Sequence, residues 1–144
     1  KKNSKKKIKK SIYCHFGASQ KVRRLFPEIA CKLINYIIDE IGINEELDIR
    51  IIDIPEDNVL AFTITEILYK KYNKKSKILK GSLFDIVQMI KDKGDYLICL
   101  DSAFLHIFSG DKINVFAFFC LLNLSLVIDK QSNNVKVYRI KNIL

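Results

Sequence analysis

The 144 residues fit one domain, and 49% of them are hydrophobic, enough for a substantial core. Seven of the 25 lysines and arginines are Lys1, Lys2, Lys5, Lys6, Lys7, Lys9 and Lys10, so the net charge of +9 sits mostly in a tail and the body is nearly balanced against 16 acidic residues. The absence of about 18 consecutive uncharged apolar residues argues against a transmembrane helix, and the lysine run is not followed by the long apolar segment of a signal peptide.

Taken in chain order, residues 1–10 read as a basic tail or interlobe linker and residues 11–144 as one folded domain. The tail is read as a solvated leader, with contact to anionic lipid headgroups as the functional alternative. Nucleic-acid binding ranks last, since the body shows no basic stripe with interleaved aromatics. Ser11–Phe16 is a first predicted strand, followed by the Gly17-Ala18-Ser19 turn. Pro27 suits a first helical turn. Phe26, Ile29, Ala30, Leu33, Ile34, Ile37, Ile38 and Ile41 then recur at helical spacing as far as Gly42. Asp48–Ile54 is an Ile-rich strand. Pro55-Glu56-Asp57-Asn58 is a turn and cap cluster, and the helix after it runs to about Tyr72 with Leu60, Ile64, Ile67 and Leu68 inward.

Asn73–Lys77 is a polar loop, and Lys77–Leu79 is a short strand. Ser82 opens a third helix with Asp85 placed as in a capping box; Leu83, Ile86, Val87 and Ile90 form its inward face and Gly94 ends it. Tyr96–Leu100 is a strand, a short helix starts near Ala103, and Ile113–Phe119 is a further strand. Leu124–Ile128 and Val135–Ile140 read as short strands on either side of the Gln131-Ser132-Asn133-Asn134 turn.

Alternating strands and helices predict an α/β fold of three layers, a mainly parallel sheet between two helix layers. Cys14, Cys31, Cys99 and Cys120 form no C-x-x-C pair and fall on apolar patterns, which points to buried reduced thiols and a cytoplasmic location. His15 and His106 are too few and too far apart in sequence for a structural zinc site.

Two segments carry chemistry. The first is His15-Phe16-Gly17-Ala18-Ser19 with Arg23-Arg24-Leu25-Phe26-Pro27 after it. The second is Lys80-Gly81-Ser82-Leu83, followed about a helix later by Asp101-Ser102-Ala103-Phe104-Leu105-His106. Their order and spacing, over roughly Ile12 to Phe119, resemble the carboxyl-terminal lobe of the lipopolysaccharide heptosyltransferases, glycosyltransferase family nine. That lobe has an H-P-G-A-S-like turn, a K-x-W-P-like helix start, a G-x-x-S-L-like helix start and a D-S/T-G-x-x-H motif. The resemblance implies a Rossmann-like lobe of a GT-B glycosyltransferase that binds a nucleotide-sugar donor, typically ADP-heptose. It implies partners in an amino-terminal acceptor lobe and a glycolipid acceptor. It implies no metal and no cofactor apart from the donor substrate, and a cytoplasmic place with peripheral inner-membrane contact through the tail as a candidate.

By the same resemblance Asp101 lies at the donor's sugar and diphosphate. Ser102 and Ala103 offer backbone N–H groups to the diphosphate, and His106 lies nearby. Arg24 stands where the family has a lysine, Ser19 belongs to the adjoining turn, and Asp57 falls near the nucleoside ribose. The catalytic base belongs to the acceptor lobe, so these residues by themselves are expected to bind donor without turnover. Departures are Ala103 for the motif glycine, Phe26 for the tryptophan, and Asn114 and Cys120 at either end of the last family strand. They motivate the alternative of a degenerate, non-catalytic Rossmann-like interaction domain. A third reading, a flavodoxin-like module, predicts a different strand order.

Overall fold

The computed structural model describes residues 9–17, 26–42, 46–55, 60–100, 103–119, 133–140 and 143. Six strands, β1 (Lys10–His15), β2 (Leu47–Asp53), β3 (Ser76–Lys80), β4 (Tyr96–Leu100), β5 (Asn114–Phe119) and β6 (Val135–Arg139), form one sheet in the order β3-β2-β1-β4-β5-β6. Every neighbouring pair is parallel. The helices are α1 (Pro27–Ile41), α2 (Ala61–Tyr72), α3 (Leu83–Lys93) and the short α4 (Ala103–Phe108). This is the Rossmann order, and it excludes the flavodoxin-like one, in which the third strand lies between the first and the fourth.

The burial of each strand follows from its place. β1, β4 and β5 are buried almost end to end, as strands covered on both faces must be. The edge strands β3 and β6 are half-buried and carry lysines, which discourage pairing with another chain. From β1 the chain steps outward to β2 and β3, then returns across the sheet to β4 and moves out to β5. Right-handed crossovers therefore put α1 and α2 on one face and α3 and α4 on the other. Two core clusters record this. Ile12, Cys14 and Ile51 meet Leu33, Ile37, Ile64 and Leu68 on the first face. Tyr13, Ile52 and Cys99 meet Ile86, Ile90, Phe104 and Phe108 on the second. Each fully buried Leu, Ile or Phe contributes about 1.5–3 kcal/mol by leaving water.

Local signals set the helix ends. Pro27 occupies the first turn of α1, and Gly42 closes it in the left-handed region (φ 69°), its N–H donating to Ile38 O at 3.2 Å. Asn73 takes the same conformation after α2 (φ 55°). The Ser82 hydroxyl accepts the Asp85 N–H at 3.2 Å, as the spacing predicts. Gly94 ends α3 in extended backbone, and only glycine fits there: a Cβ would stand 2.7 Å from Ile90 O and 2.9 Å from Ile113 Cδ1.

The structure corrects several expectations. Phe26, Leu60 and Leu83, expected inward, are exposed at 75%, 53% and 41%. Each stands before or at the first helical residue, at the carboxyl end of the sheet. The first strand begins at Lys10 rather than Ser11, and Lys9 pairs with Glu46 at 3.4 Å, so the end of the basic run is part of the domain. The strand expected at Leu124–Ile128 lies outside the described residues, and β6 joins β5 in parallel. No helix among the described residues is long and apolar enough to cross a membrane.

Candidate functional site

In this strand order the helices that follow β1 and β4 lie on opposite faces, α1 on one and α4 on the other, so the carboxyl ends of these two strands form the switch point at which open α/β sheets bind ligands. The two strands are in direct register, with Cys14 beside Ile98 and His15 beside Cys99. The Gly17-Ala18-Ser19 segment continues from β1, and Asp101-Ser102 joins β4 to α4. The two motifs, more than 80 residues apart in sequence, thus spring from adjacent strand ends. Side chains link them: His15, 3% exposed at the end of β1, lies with its ring centroid 4.2 Å from that of Phe104 on α4. Phe104 in turn stacks on Phe108, and both are buried. His15 therefore serves as packing between the two loop-bearing elements.

Of the candidate donor-binding residues, Ala103 and His106 are described. Ala103 is the first residue of α4 and is exposed. Phe104, Leu105 and Phe108 bury the sheet-facing side of α4, which leaves His106 exposed on the other side. A packed core histidine at this position is thereby ruled out, and the imidazole is open to solvent. Ser19, Arg24, Asp57, Asp101 and Ser102 lie outside the described residues, as does Cys120. Chain connectivity assigns the first two to the β1–α1 connection, Asp57 to the β2–α2 connection, and Asp101 and Ser102 to the β4–α4 connection. The described thiols Cys14, Cys31 and Cys99 are buried. Burial pushes the Cys14 thiol upward and Cys31 up to about 11, so neither is a thiolate at neutral pH.

Sequence reasoning missed two features of the molecule's ends. In a parallel α/β fold every helix starts at the carboxyl end of the sheet. Phe26, Leu60, Phe62, Leu83 and Phe84 all stand at helix starts and are exposed by 41–75%, so this end carries an apolar rim. Helix-period counting assigns such residues to the core because it registers apolar character and not how far the sheet extends. The opposite end holds polar clasps. Ser11 N–H donates to Asp95 Oδ2 at 2.9 Å and Ser11 Oγ donates to Lys93 O at 2.8 Å, fastening β1 to the α3–β4 turn. Asn134 Nδ2 donates to Phe108 O and Ile113 O, both at 2.8 Å, while its Oδ1 accepts from Gly110 N at 2.7 Å. No family model, curated protein or solved structure matches the chain.

Proposed function

We propose that this domain is the donor-binding lobe of a GT-B glycosyltransferase that builds lipopolysaccharide or a related cell-surface glycan, with an ADP-heptose-like nucleotide sugar as donor. The observation that carries the reading is the adjacency of β1 and β4 at the point where strand order reverses, since both motif-bearing connections leave from there. Alone, each motif is short; a shared crevice is what a diphosphate requires.

The chemistry follows from charge. As a glycosidic bond to a nucleoside diphosphate breaks, negative charge grows on the departing phosphate oxygens. Backbone N–H groups of Ser102 and Ala103, together with a cation, stabilise it where it develops. The planar fork of Arg24 suits phosphate oxygens. Asp101 would repel a diphosphate, so its role in this reading is to hold sugar hydroxyls or orient backbone donors. Ser19 shapes the facing turn, Asp57 takes the ribose, and His106, exposed on α4, is assigned to the donor by its place in the motif. The apolar rim supports the further element of the reading, a second lobe that closes over this end and brings the acceptor and the catalytic base. Transfer by these residues without that lobe is not expected.

Ala103 favours a second reading, a lobe retained for interaction alone, because a methyl group at the motif glycine crowds the approach of a phosphate to the backbone. Calorimetric titration with ADP, ADP-sugars and UDP-sugars separates the two. Donor binding predicts saturable heat with an ADP-sugar, weakened at least about tenfold by Arg24→Ala or Asp101→Ala, the loss expected for a charge-assisted contact. A chain that binds none of these nucleotides while keeping its fold by circular dichroism would belong to the second reading.

A further inference from the structure

We propose that the amino end of the sheet is a docking face for an anionic lipid surface. Strand starts and helix ends share this side of a parallel α/β fold. The last turn of α2 and the lead into β3 place Lys70, Lys71, Lys74, Lys75 and Lys77 there within eight residues of chain. One or two lysines at a helix end are accounted for by the helix dipole; five in succession, continuing into a strand, exceed that need. Lys70 pairs with Glu66 at 3.4 Å, and Lys74 donates to Asn35 on α1 at 2.8 Å, which ties the loop down. Lys71, Lys75 and Lys77 are exposed, and among the described residues no carboxylate pairs with them.

Four acidic groups on this side are engaged, while Asp39 and Asp92, in the last turns of α1 and α3, are exposed. Glu46 is paired with Lys9, Asp48 with Arg50 at 3.0 Å, Asp95 accepts from Ser11, and Glu40 accepts from the Tyr138 hydroxyl at 2.5 Å. Asp39 borders a neighbouring cleft beside Lys74 and Lys75. Between α2 and the starts of β2 and β3 lies a cleft of about 620 Å³, whose lining includes Lys9, Lys75, Lys77 and Tyr69 together with Glu46 and Asp48, the carboxylates already paired with Lys9 and Arg50. Tyr69 is 56% exposed in the midst of these lysines. An aromatic ring with a polar tip among ammonium groups suits the headgroup layer of a bilayer.

Lys9 lines the same cleft, and the chain before it carries Lys1, Lys2, Lys5, Lys6 and Lys7. The tail's charge is thus tethered at the very end of the domain that already carries the α2–β3 lysines. At the other end of β3, Lys80 stands with Asp53 beside it in register, and no such cluster forms among the described residues. Lipid is favoured over nucleic acid by residue type. The cluster is all lysine, compact charges suited to a diffuse and laterally mobile headgroup layer. Arg50 is occupied by Asp48, and a single exposed tyrosine is no row of stacking platforms.

The test is flotation of the full chain with vesicles of phosphatidylcholine alone and of phosphatidylcholine with about one-third phosphatidylglycerol. The expected result is binding to the anionic vesicles only, weakening as salt rises. Lys71→Gln/Lys75→Gln/Lys77→Gln with the tail intact lowers partitioning by at least about tenfold, whereas Lys80→Gln at the other end changes it less than about twofold. Lys75→Gln alone, at an exposed loop position that spares the fold, gives about a fivefold loss. Any of three results overturns the proposal: partitioning untouched by these substitutions, equal binding to neutral vesicles, or tighter lysine-dependent binding to a single-stranded oligonucleotide than to anionic vesicles. The face is remote from the strand carboxyl ends, so the triple variant leaves nucleotide titration unchanged, and the two proposals fail independently.

Discussion

The two ends of this sheet share one scaffold and differ in almost everything else. At the carboxyl end helices begin, so unpaired N–H groups and positive dipole ends face outward, and the side chains there are apolar: Phe26, Leu60, Phe62 and Phe84. At the amino end helices finish, the negative ends of α2 and α3 meet lysines, and the loops are clasped by Ser11, Asp95 and Asn134. Parallel topology alone polarises the molecule, with an anion-seeking end and a cation-bearing end. The side chains then exploit each: apolar groups where a covering partner and a phosphate are proposed, lysines where a charged surface is proposed.

The largest expected effect comes from breaking the link between the two loop-bearing elements at the carboxyl end. Phe104→Ala removes a fully buried ring and the stacking partner of His15, and should cost about 3–5 kcal/mol in urea unfolding. Near the amino end, Gly94→Ala drives a methyl into Ile90 O and the Ile113 side chain and should cost about 1–3 kcal/mol, read from the same midpoint shift at constant slope. The buried thiols tie the interior to pH. The Cys31 pKa is raised above its usual value near 9 to about 11, so its contribution is complete below about pH 9. It is lost as pH climbs toward 11, because the unfolded thiol ionises while the folded one stays protonated. Unfolding midpoints should fall between neutral pH and about pH 10, and fall less in Cys31→Ala. The smallest effect sharpens the contrast most. Phe84→Ser and Phe26→Ser should shift stability by no more than about 0.5 kcal/mol in thermal melts, because these rings are exposed by 71% and 75% and do not support the core. A loss of several kcal/mol from either would return that residue to the core and dissolve the apolar rim.

Much of the fold was legible in the residues because it rests on local signals. Pro27, a long apolar period and Gly42 bound α1 to within a residue; the unbroken Tyr96–Leu100 run marks a strand buried on both faces. Where local character and position part company, the reading failed. Leu83 continues the apolar stripe of α3, yet at the first residue of that helix it is 41% exposed. Val135–Arg139 is short and mixed, and its parallel seat beside β5 depends on a partner strand. The candidate site was legible as two motifs, whereas the adjacency of the strands that lead into them was not, since no short-range property of either says which strands are neighbours.

The sequence by itself determined the α/β class, the order of its elements and the concentration of charge in the tail, because periodicity, capping residues and composition act over a few residues. Only the tertiary structure decided that β1 lies against β4, that His15 rests on Phe104, and that Lys9 shares a cleft with Lys75 and Lys77. Those are contacts between segments about 65 to 90 residues apart, and they arise when the chain buries both faces of one sheet at once.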